Sequence, residues 1–315
     1  MPQHIWNIPS LPPHDFYLAL DVGSYFDHEH QPEDFFENGF KRPIPLTGRD
    51  ILVTIFFNGE VDQPVFTVRA HDSLTLSEEA EAAAVIRRIL GAGLDMSGLY
   101  EQAADDPVLS PLLHELYGLK RISRASFFED ALNRIIQTQI KHKPTARRMV
   151  YNVRLAYGTR LESGDGVIPA WPRPEKLISA DPVGMKKHGL SLRKGEYVVG
   201  LAHELVSGNL DSGEIEAMSP QGLYKRLVGI RGIGPTTAQD LLLFRNRTDG
   251  YFPSHIERGR EKAIRRWIIM SYGGDPDNCD EATFQEFIRR WDGYEAAAIE
   301  FLYVSWILSE KRKGI

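Results

Sequence analysis

Cys279 is the only cysteine among the 315 residues. No intramolecular disulfide can form, and neither a CxxC zinc site nor a four-cysteine iron–sulfur cluster can be built. The ten histidines contain no HxxxH pair, so no side-chain metal site and no cofactor are expected. Long apolar runs are missing too, and nothing approaches the length of a membrane span. The opening segment MPQHIWNIPSLPPHDF lacks the charged-then-apolar order of a secretory leader. An intracellular protein, cytoplasmic or nucleoid-associated and without a membrane partner, is the expectation. Repeats and low-complexity tracts are also lacking.

What is present is unevenly charged. The net charge is −6, but residues 1–112 carry 6 Lys+Arg against 18 Asp+Glu, a net of −12. Residues 113–315 carry 31 against 25, a net of +6. Such asymmetry fits a chain in which only one part faces an acidic partner.

Pattern changes along the chain as well. Residues 16–22, 51–57 and 65–68 are rich in β-branched and aromatic residues and read as strands, with Asn58-Gly59 as a hairpin turn. From Ser77 the period becomes helical. Residues 126–140 carry apolar positions at Phe128, Ala131, Leu132, Ile135, Ile136 and Ile140. Further helices are expected over 144–157, 191–207, 219–228, 235–246, 255–271, 281–290 and 293–311, with 161–175 a loop by its Gly and Pro content. The expected fold is α+β and mostly α. A small antiparallel β-containing N-terminal domain (1–112) precedes an all-helical domain (113–315) with a hairpin at 227–246.

The hairpin reads Leu227-Val-Gly-Ile-Arg-Gly-Ile-Gly-Pro-Thr-Thr-Ala238. Gly232 and Gly234 sit in a tight turn between two helix-patterned segments, where a backbone can approach another chain closely. The N–H groups of the following helix start suit a phosphate oxygen. This element resembles the helix-hairpin-helix that grips DNA by its backbone.

The resemblance extends further. Residues 127–140 (FFEDALNRIIQTQI), Trp171-Pro-Arg-Pro-Glu-Lys-Leu177, residues 189–202 (GLSLRKGEYVVGLA), Gly208-Asn-Leu-Asp211, Phe252-Pro253 and Trp291-Asp-Gly-Tyr294 resemble, in order, segments of the HhH-GPD DNA glycosylases. The likeness spans about residues 107–305, and the 3-methyladenine DNA glycosylase II group is the branch it most resembles. It implies a base-excision DNA repair enzyme. Such an enzyme flips a damaged base, here of the alkylated 3-methyladenine type, out of duplex DNA and hydrolyses its N-glycosidic bond. A monomer is expected, because one chain can grip a bent duplex.

The pattern breaks at the family's catalytic aspartate. Residues 250–263 (GYFPSHIERGREKA) contain no Asp. One alignment puts Glu257 in the carboxylate position, where it would stabilise the cationic sugar. The other puts Pro253 there, which leaves a non-catalytic DNA-binding protein. Ser254 and Glu257 also have the spacing of a capping box. Bifunctional relatives carry a Schiff-base lysine two residues past the second hairpin glycine. Here that residue is Thr236, so the resemblance implies no AP-lyase activity.

The resemblance further implies that Arg231, Gly232, Gly234, Thr236 and Thr237 hold the DNA backbone. Gln139 and Ile140, beside Thr138, fall where relatives insert a wedge, and Lys141 opens a basic cluster with His142, Lys143, Arg147 and Arg148. Arg258 and Arg260 are further backbone candidates. Tyr251, Phe252 and Trp171, with Tyr224, are candidates to line a base pocket.

Overall fold

The computed structural model describes residues 4–25, 34–164, 166–243, 246–253 and 264–312. The N-terminal part is a five-stranded antiparallel sheet in the order β1-β5-β4-β3-β2, made of β1 (His4–Pro9), β2 (Asp34–Phe36), β3 (Gly39–Leu46), β4 (Arg49–Phe57) and β5 (Val65–Ala70). Helices α1 (Phe16–Tyr25) and α2 (Leu76–Leu90) belong to it. Thr75 and Glu78 close the start of α2 with a reciprocal capping box, and Gly91 ends it in the left-handed conformation.

Residues 16–22 are therefore helix rather than strand. Asp15 accepts a hydrogen bond from the Leu18 amide at 2.9 Å and starts the helix. Phe16 and Ala19, three apart, turn inward. The Phe16 ring lies 5.3 Å from Phe66 and 5.6 Å from Phe57, so a β-like composition fills a helical face of the sheet core. Strands β4 and β5 do pair as expected, but seven residues join them. Asn58 N–H donates to the Val65 carbonyl at 3.0 Å, and Glu60 bridges Gln63.

The remainder is helical: α3 (Ser97–Gln102), α4 (Leu109–Glu115), α5 (Phe127–Gln137), α6 (Lys143–Tyr157), α7 (Pro174–Leu177), α8 (Leu192–Val206), α9 (Ser212–Ala217), α10 (Pro220–Val228), α11 (Pro235–Leu243), α12 (Ile264–Ser271), α13 (Glu281–Ile288) and α14 (Glu295–Arg312). A two-stranded hairpin, β6 (Arg160–Ser163) with β7 (Gly166–Pro169), interrupts it, where residues 161–175 read as loop. No helix among the described residues is long and apolar enough to cross a membrane.

Two apolar cores result. One lies under the sheet and includes Ile86 and Ile89 of α2 as well as Ile122 and Ala125. The other starts at Met96 and runs through α5, α8, α10, α11 and α14. Helix α5 is its axis, since every residue from Phe127 to Gln137 except Arg134 is buried. A charged seam joins the two cores at the N-terminus of α5. Arg42 donates to the Ser123 carbonyl at 2.6 Å. Asp130 lies 3.2 Å from Arg124 and 3.5 Å from Arg88. Burial pushes the Glu129 carboxyl up to about 7, with Arg42 pulling the other way.

Candidate nucleic-acid interface

The turn between α10 and α11 is built by alternating constraint. Ser219 caps α10 through the Gly222 amide at 3.2 Å. Leu227, Ile230 and Ile233 are buried, while Ile230 N–H donates to Leu227 O and Ile233 N–H to Ile230 O, each at 3.0 Å. Gly232 has φ +99°, and a Cβ there would come 2.4 Å from the Tyr197 ring. It is glycine because the turn lies directly on α8. At Gly234 a Cβ would meet nothing within 4 Å, and the residue is exposed. The open edge of the turn is therefore the Gly234 side. The first turn of α11 begins there, with Ala238 N–H donating to the Gly234 carbonyl at 2.9 Å. Thr236 is exposed and the Thr237 side chain is buried. Arg231 is exposed and lies 2.9 Å from Glu196.

At the far end of α5 the chain kinks. Thr138 turns its hydroxyl back onto the Arg134 carbonyl at 2.7 Å, and Ile140 N–H donates to Gln137 O at 2.9 Å. Between them Gln139 has φ +65° and an exposed side chain. It is the only non-glycine with positive φ among the described residues, a conformation that costs about 1–3 kcal/mol and persists where surrounding structure imposes it. Ile140 is half-buried, and Lys141 and His142 are exposed beyond it.

The two ends are tied together. Arg134 of α5 reaches Asp240 of α11 at 2.9 Å, and Lys194 of α8 donates to the Ile136 carbonyl at 2.6 Å. Burial lowers the Lys194 pKa. The sequence reading missed these three residues. Only Asp240 had an available signal, a lone charge on the otherwise uncharged helix α11, which seldom stays buried without a partner.

The proposed aromatic pocket does not assemble as a unit. Tyr251 is half-buried with its ring 5.5 Å from Tyr224. Phe252 is 2 % exposed and packs on Phe284 and Trp291, at 5.9 and 6.4 Å. Its ring is committed to the core and has no face left for a base. Trp171 is half-buried against the helical core, in cation–π contact with Arg124 at 5.8 Å and Arg154 at 5.3 Å. An aromatic row the sequence did not single out runs along α14 and α12. The Tyr303 ring is 6.0 Å from Trp267 and 5.9 Å from Trp306, the latter pair nearly parallel at 20°. Pro253 is buried. Glu257, Arg258, Arg260 and the capping residue Ser254 lie outside the described residues, as does the chain's one HxH pair, His28 and His30.

No protein-family profile matches the chain. A DNA-3-methyladenine glycosylase of Bacillus subtilis (strain 168) is 28% identical over 159 residues, which are 50% of this chain and 52% of that protein. The chain thus spans about half the length of the curated relatives it matches. Among solved structures, a 3-methyladenine DNA-glycosylase from Archaeoglobus fulgidus superposes with a TM-score of 0.71 at 23% identity, covering 95% of this chain and 98% of that one. The apo form of an 8-oxoguanine glycosylase/lyase from Clostridium acetobutylicum gives 0.70 at 17% identity and 95% of each chain. The fold is common to all of it, sheet and helical body alike.

Proposed function

We propose that this chain, which belongs to the HhH-GPD superfamily by its fold and its sequence likeness, is a monofunctional DNA N-glycosylase acting on an alkylated base of the 3-methyladenine type. The carrying observation is the pairing of an open glycine edge at Gly234 with an imposed left-handed Gln139, on helices joined by Arg134 and Asp240. One feature suits a DNA backbone and the other suits the gap left by an extruded base.

In this reading the amides around Gly232, Gly234, Thr236 and Thr237 hold phosphate oxygens, with Arg231 and Lys141 alongside. Gln139 and Ile140 fill the vacated stack, since flipping costs a few kcal/mol that a plug helps to offset. Tyr251 lines the pocket. The row of Trp267 on α12 with Tyr303 and Trp306 on α14 offers a second stacking surface.

Chemistry then needs one anion. The glycosidic bond breaks with its electron pair leaving on the base, water adds to the sugar carbon and loses a proton, and a fixed carboxylate stabilises the cationic sugar between those events. Glu257 is assigned that role. An alkylated base is already a good leaving group, so the demand on the carboxylate is small. Thr236 has no amine to form a Schiff base, so the product is an intact abasic site.

The test is incubation with alkylated duplex DNA, followed by analysis of both base and strand. Free 3-methyladenine with a strand that breaks only on added alkali supports the assignment. Strand cleavage without alkali, or a borohydride-trapped covalent adduct, contradicts the monofunctional mechanism. No base release from alkylated, oxidised or deaminated duplexes leaves the second reading, a DNA binder in which the buried Pro253 stands where the aspartate would be.

A further inference from the structure

Two stretches of this acidic chain contain no acid. Residues 131–161 carry seven Lys and Arg and no Asp or Glu, and residues 182–195 carry four and none. In a protein of net charge −6, chance scattering of charge does not favour such runs, and exposed like charges gathered together repel one another unless an anion meets them.

The two stretches meet in space. The Tyr157 ring at the end of α6 is 5.6 Å from His188. A Cβ on Gly189 would come 2.8 Å from Met149 of α6. The short turn Gly184–His188 before α8 therefore lies on α6. The N-terminal half of α8 in its turn touches both halves of the candidate interface. Lys194 holds the Ile136 carbonyl at the wedge end of α5. Tyr197 carries Gly232 on its ring, with the Arg231 guanidinium 5.9 Å from the ring centre. Arg193 precedes Tyr197 by four residues and so shares its helix face.

Arg148, Lys186, Lys187 and Arg193 are all exposed, and none of their side chains has an acidic or hydrogen-bonding partner among the described residues. The acids that bound the second stretch are both engaged. Asp181 accepts from the Val183 and Gly184 amides at 2.9 and 2.8 Å, and Glu196 pairs with Arg231. A line of cations thus continues from the hairpin, across the start of α8 and the turn before it, onto α6.

We propose that Arg148, Lys186, Lys187 and Arg193 form a second phosphate-binding track, which holds the arm of duplex DNA leaving the flipped base. The proposal rests on the reading of the chain as a duplex-DNA protein and adds a footprint that the hairpin alone does not have. Duplex DNA is the occupant because the track is continuous with the hairpin edge and its charge complements a regular polyanion. Each neutralised phosphate steepens the salt dependence of binding by about 0.9 in log–log slope.

The experiment measures affinity against salt concentration for wild type and for R148Q/K186Q/K187Q/R193Q. The probes are a duplex long on both sides of an abasic site and two duplexes truncated on one side or the other. The track predicts a slope shallower by about 3–4 in the variant on the long duplex, with one truncation abolishing the difference and the other preserving it. Thermal unfolding of the variant should match wild type, since these side chains support nothing in the fold. An unchanged slope, or a slope change that neither truncation alters, would overturn the track. Base release plays no part in this readout, so failure of the glycosylase assignment and failure of the track are separately visible. Wild type that binds no duplex would overturn both.

Discussion

Arg134 and Asp240 meet at 2.9 Å, and through them the helix that ends in the Gln139 kink is fixed to the helix that begins after Gly234. Both side chains are mostly buried, at 24% and 21% exposure. Asp240→Asn should cost about 1.5–3 kcal/mol of stability, the worth of a hydrogen bond to a charged group. Base release should fall further than duplex affinity does, because the wedge and the backbone grip lose their common frame. Urea unfolding and single-turnover release measure the two effects. Loss of stability with unaltered release would make the pair a packing feature only.

Gly232 and Gly234 should respond oppositely to alanine. Gly232→Ala meets both a positive φ and the Tyr197 ring and should lower stability by about 1–3 kcal/mol. Gly234→Ala has room and should leave the unfolding midpoint nearly unchanged while weakening duplex binding, since its methyl projects where a phosphate would approach. Equal binding by Gly234→Ala and wild type would remove this edge from the interface.

Gln139→Gly should relieve the left-handed strain and stabilise the fold by up to about 1 kcal/mol, and it should slow base release because nothing then fills the gap. Scanning calorimetry with a release assay gives both signs. A variant less stable than wild type would mean that the Gln139 side chain contributes more than its backbone costs.

The buried Glu129 gives stability a pH dependence of known sign. Its folded pKa, raised to about 7 from 4.5, means that the native state holds more protons than the unfolded chain between those values. Stability from this group is full below about 4.5 and is lost as pH rises through 7. His14, buried and lowered to about 3, acts oppositely, since its contribution is lost as pH falls below its ordinary value. Comparing wild type with Glu129→Gln isolates the first group, and urea midpoints should converge at low pH and diverge towards neutrality in favour of the variant. Parallel curves would contradict the burial argument.

The helical body was legible because its apolar period and its Gly and Pro stops are local signals. Helices α8, α10 and α13 fall within a few residues of their expected ranges. The sheet was less so. Strand β3 was hidden by Pro43 and Pro45, which it tolerates because β2 pairs only with residues 39–41, so among the described residues no strand is hydrogen-bonded to the proline half on that side. Helix α1 was misread because aromatic composition outweighed the spacing of Phe16 and Ala19. The tight turn between α10 and α11 was readable from Gly232 and Gly234. Phe252 joining the core and the Arg134–Asp240 tie were not, since both depend on neighbours distant in sequence.

The account turns on Glu257, and the direct measurement is single-turnover release of 3-methyladenine from alkylated duplex by wild type and Glu257→Gln, with binding to the same duplex measured in parallel. The account predicts release by wild type, a rate lower by a factor of about 10² or more in Glu257→Gln, as for loss of one electrostatic stabiliser, and equal affinity. Equal rates in the two proteins would contradict the assignment of the carboxylate, and no release by either would contradict the glycosylase itself.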